Sequence, residues 1–519
     1  ATWRDGREID SMLGRVLPRD SVRSIVRCVP PMKRIFSNPI FALTAGLCLR
    51  LFFVLKFPGT SGDTALYEEI ATNWLKHHVY AINVHGTITP VDIRMPGYPA
   101  FLAVIYALTA RIGESARLWV MLAQIGVDLL SCLVIARLAK LLGEATEDAP
   151  NNRRVYLVAL WLAALCPFTA NYTAVPLTEV FATLWTALAC CALVIAIRRV
   201  KQPGFLAKHS HLPLSRSVNY AAWGAGWFVG VGTLFRPETP LVLIVAAVVL
   251  GVLFLRLGSW RRWFSVSLAM GLGCLMVLSP WTLRNVVTLG ELQFFAPKYS
   301  TLPGELVPYG FMAWEKTWLY RVRDCYLVPW KLNEEAIEVD SIPDRAFDSP
   351  EEKQRVAAIL EQYNQDLTLT PEEDAAFGKI ARERNARHPL RTLLWIPAAR
   401  AVAIWFTPRI ELLPISGNVF PLAEMREEDP EDQEFTILLF LLNIFYIGLA
   451  ALGAMRFCRS HAAALPALTF LILFTLLRTV FLTTLETPEP RYVLVCFPAL
   501  IALGAHFLAR QPDPQKHTL

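Results

Sequence analysis

Runs of about 20 apolar residues, parted by short blocks of charge, recur along most of this chain. A helix needs roughly that length to cross the hydrocarbon core of a bilayer. Inside that core each backbone amide and carbonyl must find its partner within the protein, so a chain built this way has few folds open to it. Val155–Ala174, Glu179–Ile197, Leu241–Leu257 and Phe435–Met455 are examples, rich in Leu, Ala and Val with scattered aromatics. That texture suits helices better than the alternating strands of a membrane barrel. With 54% apolar and 18% charged residues over 519 positions, a soluble single domain is excluded.

The net charge of +6 is not a nucleic-acid signature, because the positive residues cluster in short loops. There they set orientation. Arg15, Arg19, Arg23, Arg27, Lys33 and Arg34 precede the first span and place the N-terminus in the cytoplasm. No apolar signal-peptide core precedes Ile40–Phe57, which reads as an uncleaved anchor, and Met32 reads as a natural start. The basic loops 198–217, 256–262 and 456–461 must then also lie inside. Parity follows from this. If the short run Gly97–Ile112 crossed, the loop 137–154 with Arg137, Lys140, Arg153 and Arg154 would fall outside. So 97–112 is expected to be re-entrant or interfacial, and Pro389–Phe406 to lie along the membrane surface.

The expected architecture is an all-α polytopic membrane protein with about ten spans, at 40–57, 117–140, 155–174, 177–197, 218–235, 240–257, 263–283, 435–455, 464–484 and 492–509. A small extracytoplasmic insert, mostly helical, interrupts them; Glu351–Asn364 and Pro371–Arg387 are its expected helices. Only Cys325 falls in that insert, so it holds no internal disulfide, and no Cys-x-x-Cys marks a structural zinc site.

This topology gathers the unusual polar residues at one face. Asp63, Tyr67, Glu68, Glu69, Asp92, Arg94, Glu179, Arg236, Glu238, Arg284, Lys298, Glu486, Glu489, Arg491 and Tyr492 all fall in outer loops or at their edges. Ionisable groups near the hydrocarbon are costly and tend to be paired or functional. Arginine matches phosphate with a planar fork, and a carboxylate suits a base that takes a proton from a hydroxyl. The pattern points to an anionic, lipid-anchored ligand. Arg284, Arg491, Arg236 and Arg94 are candidates for its phosphate, with Tyr67 and Tyr492 as further contacts. Headgroup anchoring and aromatic belts explain the same residues more blandly. Asp63 also reads as a helix N-cap, since Thr64-Ala65-Leu66-Tyr67-Glu68 follows it. Trp314, Trp318 and Trp330 suit either sugar stacking or the core of a small domain.

Gly62-Asp63-x3-Tyr67 followed by Arg94-x-Pro96-Gly97-Tyr98-Pro99 resembles the first outer loop of GT-C glycosyltransferases. The likeness is to the family 39 type, which includes protein O-mannosyltransferases and lipid A aminoarabinose transferases. Pro176-Leu177-Thr178-Glu179, Phe235-Arg236-Pro237, Pro280-Trp281-Thr282-Leu283-Arg284-Asn285 and Glu489-Pro490-Arg491-Tyr492 continue it in order, over about residues 40–510. The resemblance implies that Asp63 is the catalytic carboxylate, Glu179 a second acid, and Asp92 a metal-binding acid. A divalent cation stays an open expectation, because the short Asp-x-Asp of several branches is absent.

The domains expected are a cytoplasmic tail at 1–38 and a catalytic transmembrane module at 39–285 with its first outer loop at 58–116. An insert with an interfacial helix follows at 286–406, an outer loop at 407–434, C-terminal transmembrane helices at 435–510 and a cytoplasmic tail at 511–519. The function implied is inverting transfer of a monosaccharide from a polyprenyl-phosphate carrier to a lipid, glycan or protein acceptor. It would take place at a bacterial inner membrane, with the site facing the periplasm or exterior. The rivals are a flippase or transporter of lipid-linked sugars and a non-catalytic scaffold that binds them. Transporters commonly show repeated halves and mid-span charges. Here no repeat is evident, and Asp128 is one of few charges inside a span.

Overall fold

The computed structural model describes residues 37–144, 152–201, 214–299, 305–407, 433–460 and 464–509. The expected tails, all but their innermost residues, and the loop at 408–432 lie outside the described residues. The protein is an all-α polytopic membrane bundle. Its helices run as α1 (Pro39–Lys56), α2 (Gly62–His77), α3 (Gly97–Thr109), α4 (Arg117–Gly143), α5 (Asn152–Ala164), α6 (Glu179–Lys201), α7 (Leu214–Thr233), α8 (Leu241–Arg256) and α9 (Trp260–Leu289). The insert contributes α10 (Tyr309–Glu315), α11 (Pro350–Asp366), α12 (Pro371–Arg387) and α13 (Ile396–Phe406). The C-terminal part adds α14 (Gln433–Ser460), α15 (Leu465–Thr483) and, after a 3₁₀ stretch at Pro490–Cys496, α16 (Phe497–Leu508).

Among the described residues, seven helices are long and apolar enough to cross a membrane. A bent pair, α5 with Pro167–Ala174, makes an eighth. The other two of the ten expected spans are helical but fall short of that test. α8 has 16 residues. α7 is rich in glycine and is packed between α6 and α9. Its Gly226 lies so close to α9 that a Cβ there would stand 2.0 Å from the Met270 carbonyl oxygen. Small residues that let backbones approach are what hold helices together in lipid, where burial of apolar area drives little.

The bend in the third span shows how a break is satisfied inside the membrane. Pro167 cannot donate an amide, so carbonyls at the end of α5 lose helical partners. The Tyr446 hydroxyl donates to the Leu162 carbonyl at 2.8 Å, and Arg50 Nη1 donates to the Ala164 carbonyl at 2.7 Å. Arg50 is in turn neutralised by Asp128, with Nε 2.6 Å from Oδ2. The mid-span carboxylate thus belongs to a cap on a kinked helix.

Hydrogen bonds define the two ends of the bundle. At one end the Gly59 amide meets the Ala174 carbonyl, and the Gly97 amide meets the Leu234 carbonyl at 2.7 Å. At the other, Arg137 and Arg198 pair with Glu144, and a His506 ring nitrogen lies 2.8 Å from the Ala139 carbonyl. α3 begins at the first end, and Arg117, just beyond it, pairs with Glu68 of α2 at that same end. Its 13 residues reach only about 20 Å, short of the roughly 30 Å core. The chain therefore leaves and returns on one side over 97–117, as the parity argument requires.

Two features depart from the sequence reading. The loop after α2 carries an antiparallel hairpin, β1 (Ala81–Val84) and β2 (Thr87–Pro90), turned at His85–Gly86 with both φ values positive. And α9 extends to Leu289, so the insert starts a few residues later than 286. The insert has its own core, in which Trp314 and Trp318 are fully buried against Phe311, Tyr363 and Phe377. Those two tryptophans hold the insert together and offer no face to a sugar. Trp330 is partly buried and packs against Tyr326, with ring centroids 4.3 Å apart. α13 buries Ile396, Arg400 and Ile404 on one face and exposes Val402 and Phe406, and Trp395 just before it is also exposed.

Candidate active site

Asp63 stands in the first turn of α2, one residue beyond the helix start. The capping role falls to Ser61 and Thr64 instead, since the Ser61 amide donates to Thr64 Oγ1 at 3.0 Å. The Asp63 carboxylate is therefore free of the helix it begins, while the helix N-terminus still favours its negative charge. Arg94 Nη2 bonds its Oδ1 at 2.6 Å, and Arg491 Nη2 stands 3.7 Å from Oδ2. Burial pushes this carboxyl up, but Arg94, then Arg491 and Arg236, together hold it below the usual aspartate value. Asp63 is ionised throughout the neutral range.

Arg491 comes from the connection between α15 and α16 and is the hub of the site. Its Nε lies 2.6 Å from Glu489 Oε2 and 3.8 Å from Glu179 Oε1. Glu179, the first residue of α6, pairs with Arg236, and its other oxygen is buried without a hydrogen-bond partner. Arg236 also reaches Glu238 at 3.5 Å and lies 4.8 Å above the Tyr492 ring. The Tyr492 hydroxyl donates to Glu489 at 2.7 Å. Arg478 Nη2 completes the chain of charges, 2.9 Å from Glu238 and donating to the Tyr492 carbonyl at 3.2 Å. Tyr67 is buried beside the group with its ring edge-on to Tyr98 at 5.1 Å. Among the four carboxylates, Asp63 has the most open side chain at 32% exposure, against 4% for Glu179.

Local sequence explains why these segments meet. Gln124, fully buried on α4, receives the Tyr98 hydroxyl and donates to the Val175 carbonyl at 2.9 Å, which fixes the turn leading to Glu179. Gly97 allows the start of α3 to lie against the turn that carries Arg236. A Cβ there would stand 2.6 Å from the Leu234 carbonyl oxygen. Gly97→Ala is expected to cost about 1–3 kcal/mol through overpacking and loss of that contact. Thermal unfolding of the purified protein in detergent checks this, and an unchanged midpoint would show that the turn can move aside.

The structure brings Asp63, Arg94, Glu179, Arg236, Arg491, Tyr67 and Tyr492 together and leaves two candidates apart. Arg284 grips the hairpin: Nη2 bonds the Tyr80 carbonyl at 2.7 Å and Nη1 the Val91 carbonyl at 2.8 Å. Its guanidinium also lies 5.2 Å from the Trp281 ring centroid. Asp92 follows the hairpin, and Arg94 pairs with Asp63 in its place. Burial, with the charge of Glu291, pushes the Asp92 carboxyl up. Among the described residues no three His, Cys, Asp or Glu side chains group as metal ligands, so Asp92 is not set in a ligand cluster. Arg478 joins the cluster although it is no outer-loop residue. Its signal was there, an arginine inside the apolar run of α15.

Fold and site together define a polytopic membrane protein with a buried, charged site at one end of its bundle. No protein-family model matches the sequence, and no curated protein matches it. Among solved structures it is similar to the oligosaccharyltransferase AglB from Archaeoglobus fulgidus, solved with an inhibitory peptide and a dolichol-phosphate. That likeness has 11% identity and a TM-score of 0.46, and covers 90% of this chain and 50% of that one. This chain thus spans half the length of that protein. It is also similar to ArnT from Cupriavidus metallidurans bound to undecaprenyl phosphate, at 12% identity and a TM-score of 0.37, covering 90% of this chain and 77% of that one. At these values neither assigns a substrate to this chain.

Proposed function

We propose that this protein is an inverting glycosyltransferase. It would move a monosaccharide from a polyprenyl-phosphate carrier to the hydroxyl of an extracytoplasmic lipid, glycan or protein acceptor. The observation that carries this reading is Asp63: an ionised, partly open carboxylate between two arginines, at the end of the bundle. The acceptor hydroxyl attacks the anomeric carbon, and its proton passes to the Asp63 carboxylate. The bond from that carbon to the carrier's phosphate oxygen breaks, and polyprenyl phosphate leaves. Holding Asp63 ionised keeps it in the form that orients and deprotonates the hydroxyl. Arg491 meets the charge that grows on the leaving phosphate, and Arg94 and Arg236 hold the carboxylates on either side. Donors aimed in advance at developing charge usually supply the largest share of catalysis. Glu179 is the second acid of the site, with its buried free oxygen available to a sugar hydroxyl. Arg284 supports the hairpin in this reading and touches the carrier only through it. A transporter would use a charge near mid-membrane, yet Asp128 is engaged by Arg50.

Arg491→Lys tests the phosphate contact. Lysine keeps the charge and loses the fork. Contacts that tighten toward the transition state lower kcat as well as affinity when removed. The expected result is a fall in kcat on a polyprenyl-phosphate sugar with an unchanged unfolding midpoint. Full turnover in Arg491→Lys would reduce Arg491 to a positive anchor.

A further inference from the structure

We propose that Lys298 and Lys316 form a subsite that, together with Arg491, receives the carrier's phosphate, a phosphate anion presented from the membrane. This rests on the glycosyltransferase reading and adds the residues that supply its missing charge.

Charge balance is the starting point. In the central cluster Arg94 meets Asp63, Arg236 meets Glu179, Arg478 meets Glu238 and Arg491 meets Glu489. Each guanidinium there already faces a carboxylate. A phosphate that meets Arg491 in so balanced a group brings more negative charge than the group offsets, and uncompensated buried charge is expensive. Beside the cluster, among the described residues, the balance differs. Lys298 Nζ and Lys316 Nζ both lie on Glu486 Oε1, at 2.9 and 2.7 Å, so two ammonium groups share one carboxylate oxygen. Lys298 also donates to the Tyr299 hydroxyl at 2.7 Å, and that hydroxyl bonds Glu486 at 3.2 Å. Glu315 does not restore the balance. Burial pushes its carboxyl well above the usual range, against the pull of Arg400. Arg400 adds a further buried cation at this junction, donating to the carbonyls of Leu319, Thr483 and Leu485.

The chain ties this surplus to the segments of the reacting group from two directions. Glu486 lies in the same short connection as Glu489 and Arg491. On the other side, the Ala296 amide contacts Met95 Sδ at 3.1 Å, and Met95 follows Arg94. Lys298 thus hangs between the segment that carries Arg94 and the one that carries Arg491. Its side chain is 52% exposed, against 9% for Arg491, so an incoming headgroup meets it without displacing a buried pair.

The test uses the full chain in nanodiscs of neutral lipid, titrated with undecaprenyl phosphate and with undecaprenol. The wild type is expected to bind the phosphate more tightly than the alcohol. Lys298→Gln should shrink that preference about tenfold or more, the scale of one charge-assisted hydrogen bond. Lys298→Arg should keep it, and Lys316→Gln should weaken it. If the wild type shows the preference and both Gln variants retain it, the lysine subsite is wrong while the glycosyltransferase reading stands. If the wild type shows no preference at all, the glycosyltransferase reading fails and the subsite with it. Competition arms separate the sources of phosphate. Displacement of undecaprenyl phosphate by equal concentrations of phosphatidylglycerol, or of inorganic phosphate, would make this a general anion site and overturn the carrier assignment.

Discussion

Asp63→Asn is expected to lower turnover by roughly a hundredfold or more, the usual scale for losing an acid–base group. The substitution keeps the shape of the side chain and leaves the Ser61–Thr64 cap intact, so the helix should form as before. Donor binding should survive, because the arginines remain. The acidic limb of the pH profile carries a second signature. Arg94 and Arg491 outweigh burial and hold the Asp63 pKa low, so the working carboxylate is lost only as pH falls through a value below the ordinary aspartate range. Replacing Arg94 with methionine removes the nearer of those charges and should move the limb to higher pH. A limb that stays put would mean that another group sets it. Near-normal turnover in Asp63→Asn would transfer the base to a different carboxylate, with Glu179 first in line.

The second large effect is expected at Arg478, on stability. Its side chain is almost fully buried, and Glu238 beside it is mostly so. Breaking a buried ion pair by removing one partner typically costs about 3–5 kcal/mol, because a charge is left uncompensated. Arg236 still stands 3.5 Å from Glu238, so Arg478→Met should fall near the lower end of that range. The paired change, Arg478→Met with Glu238→Gln, removes both charges and should recover part of the loss. A double-mutant cycle on unfolding in detergent measures the coupling. Purely additive losses would mean that the two residues do not act as a pair.

Arg478 and Arg284 also show what could and could not be read from the chain. The membrane spans were legible because apolar length is a property of the local sequence. The side on which 97–112 lies was legible from the basic loops, and the pairing of Arg117 with Glu68 agrees with it. The segments that meet at the site were legible too, since Glu179, Arg236 and Arg491 each sit near the end of a span and Asp63 and Arg94 lie in the first outer loop. The partners of each charge were not. Arg284 occupies the same kind of position as Arg236, yet it turns to two carbonyls of the loop around the hairpin. That choice depends on the strands Ala81–Val84 and Thr87–Pro90, which fold within the first outer loop around the His85–Gly86 turn. Asp92 follows the same hairpin and was carried away from the cluster with it. The charge balance of the cluster depends on pairs brought from distant segments, so it emerges only once the chain is folded.

The covalent fate of a lipid-linked sugar tests the central proposal most directly. Purified protein in liposomes would be given a labelled polyprenyl-phosphate sugar and a panel of hydroxyl acceptors. A glycosyltransferase releases free polyprenyl phosphate, mole for mole with sugar joined to the acceptor, and Asp63→Asn abolishes both. Labelled sugar-lipid that crosses the liposome membrane with its covalent structure unchanged would contradict the enzyme and identify a transporter.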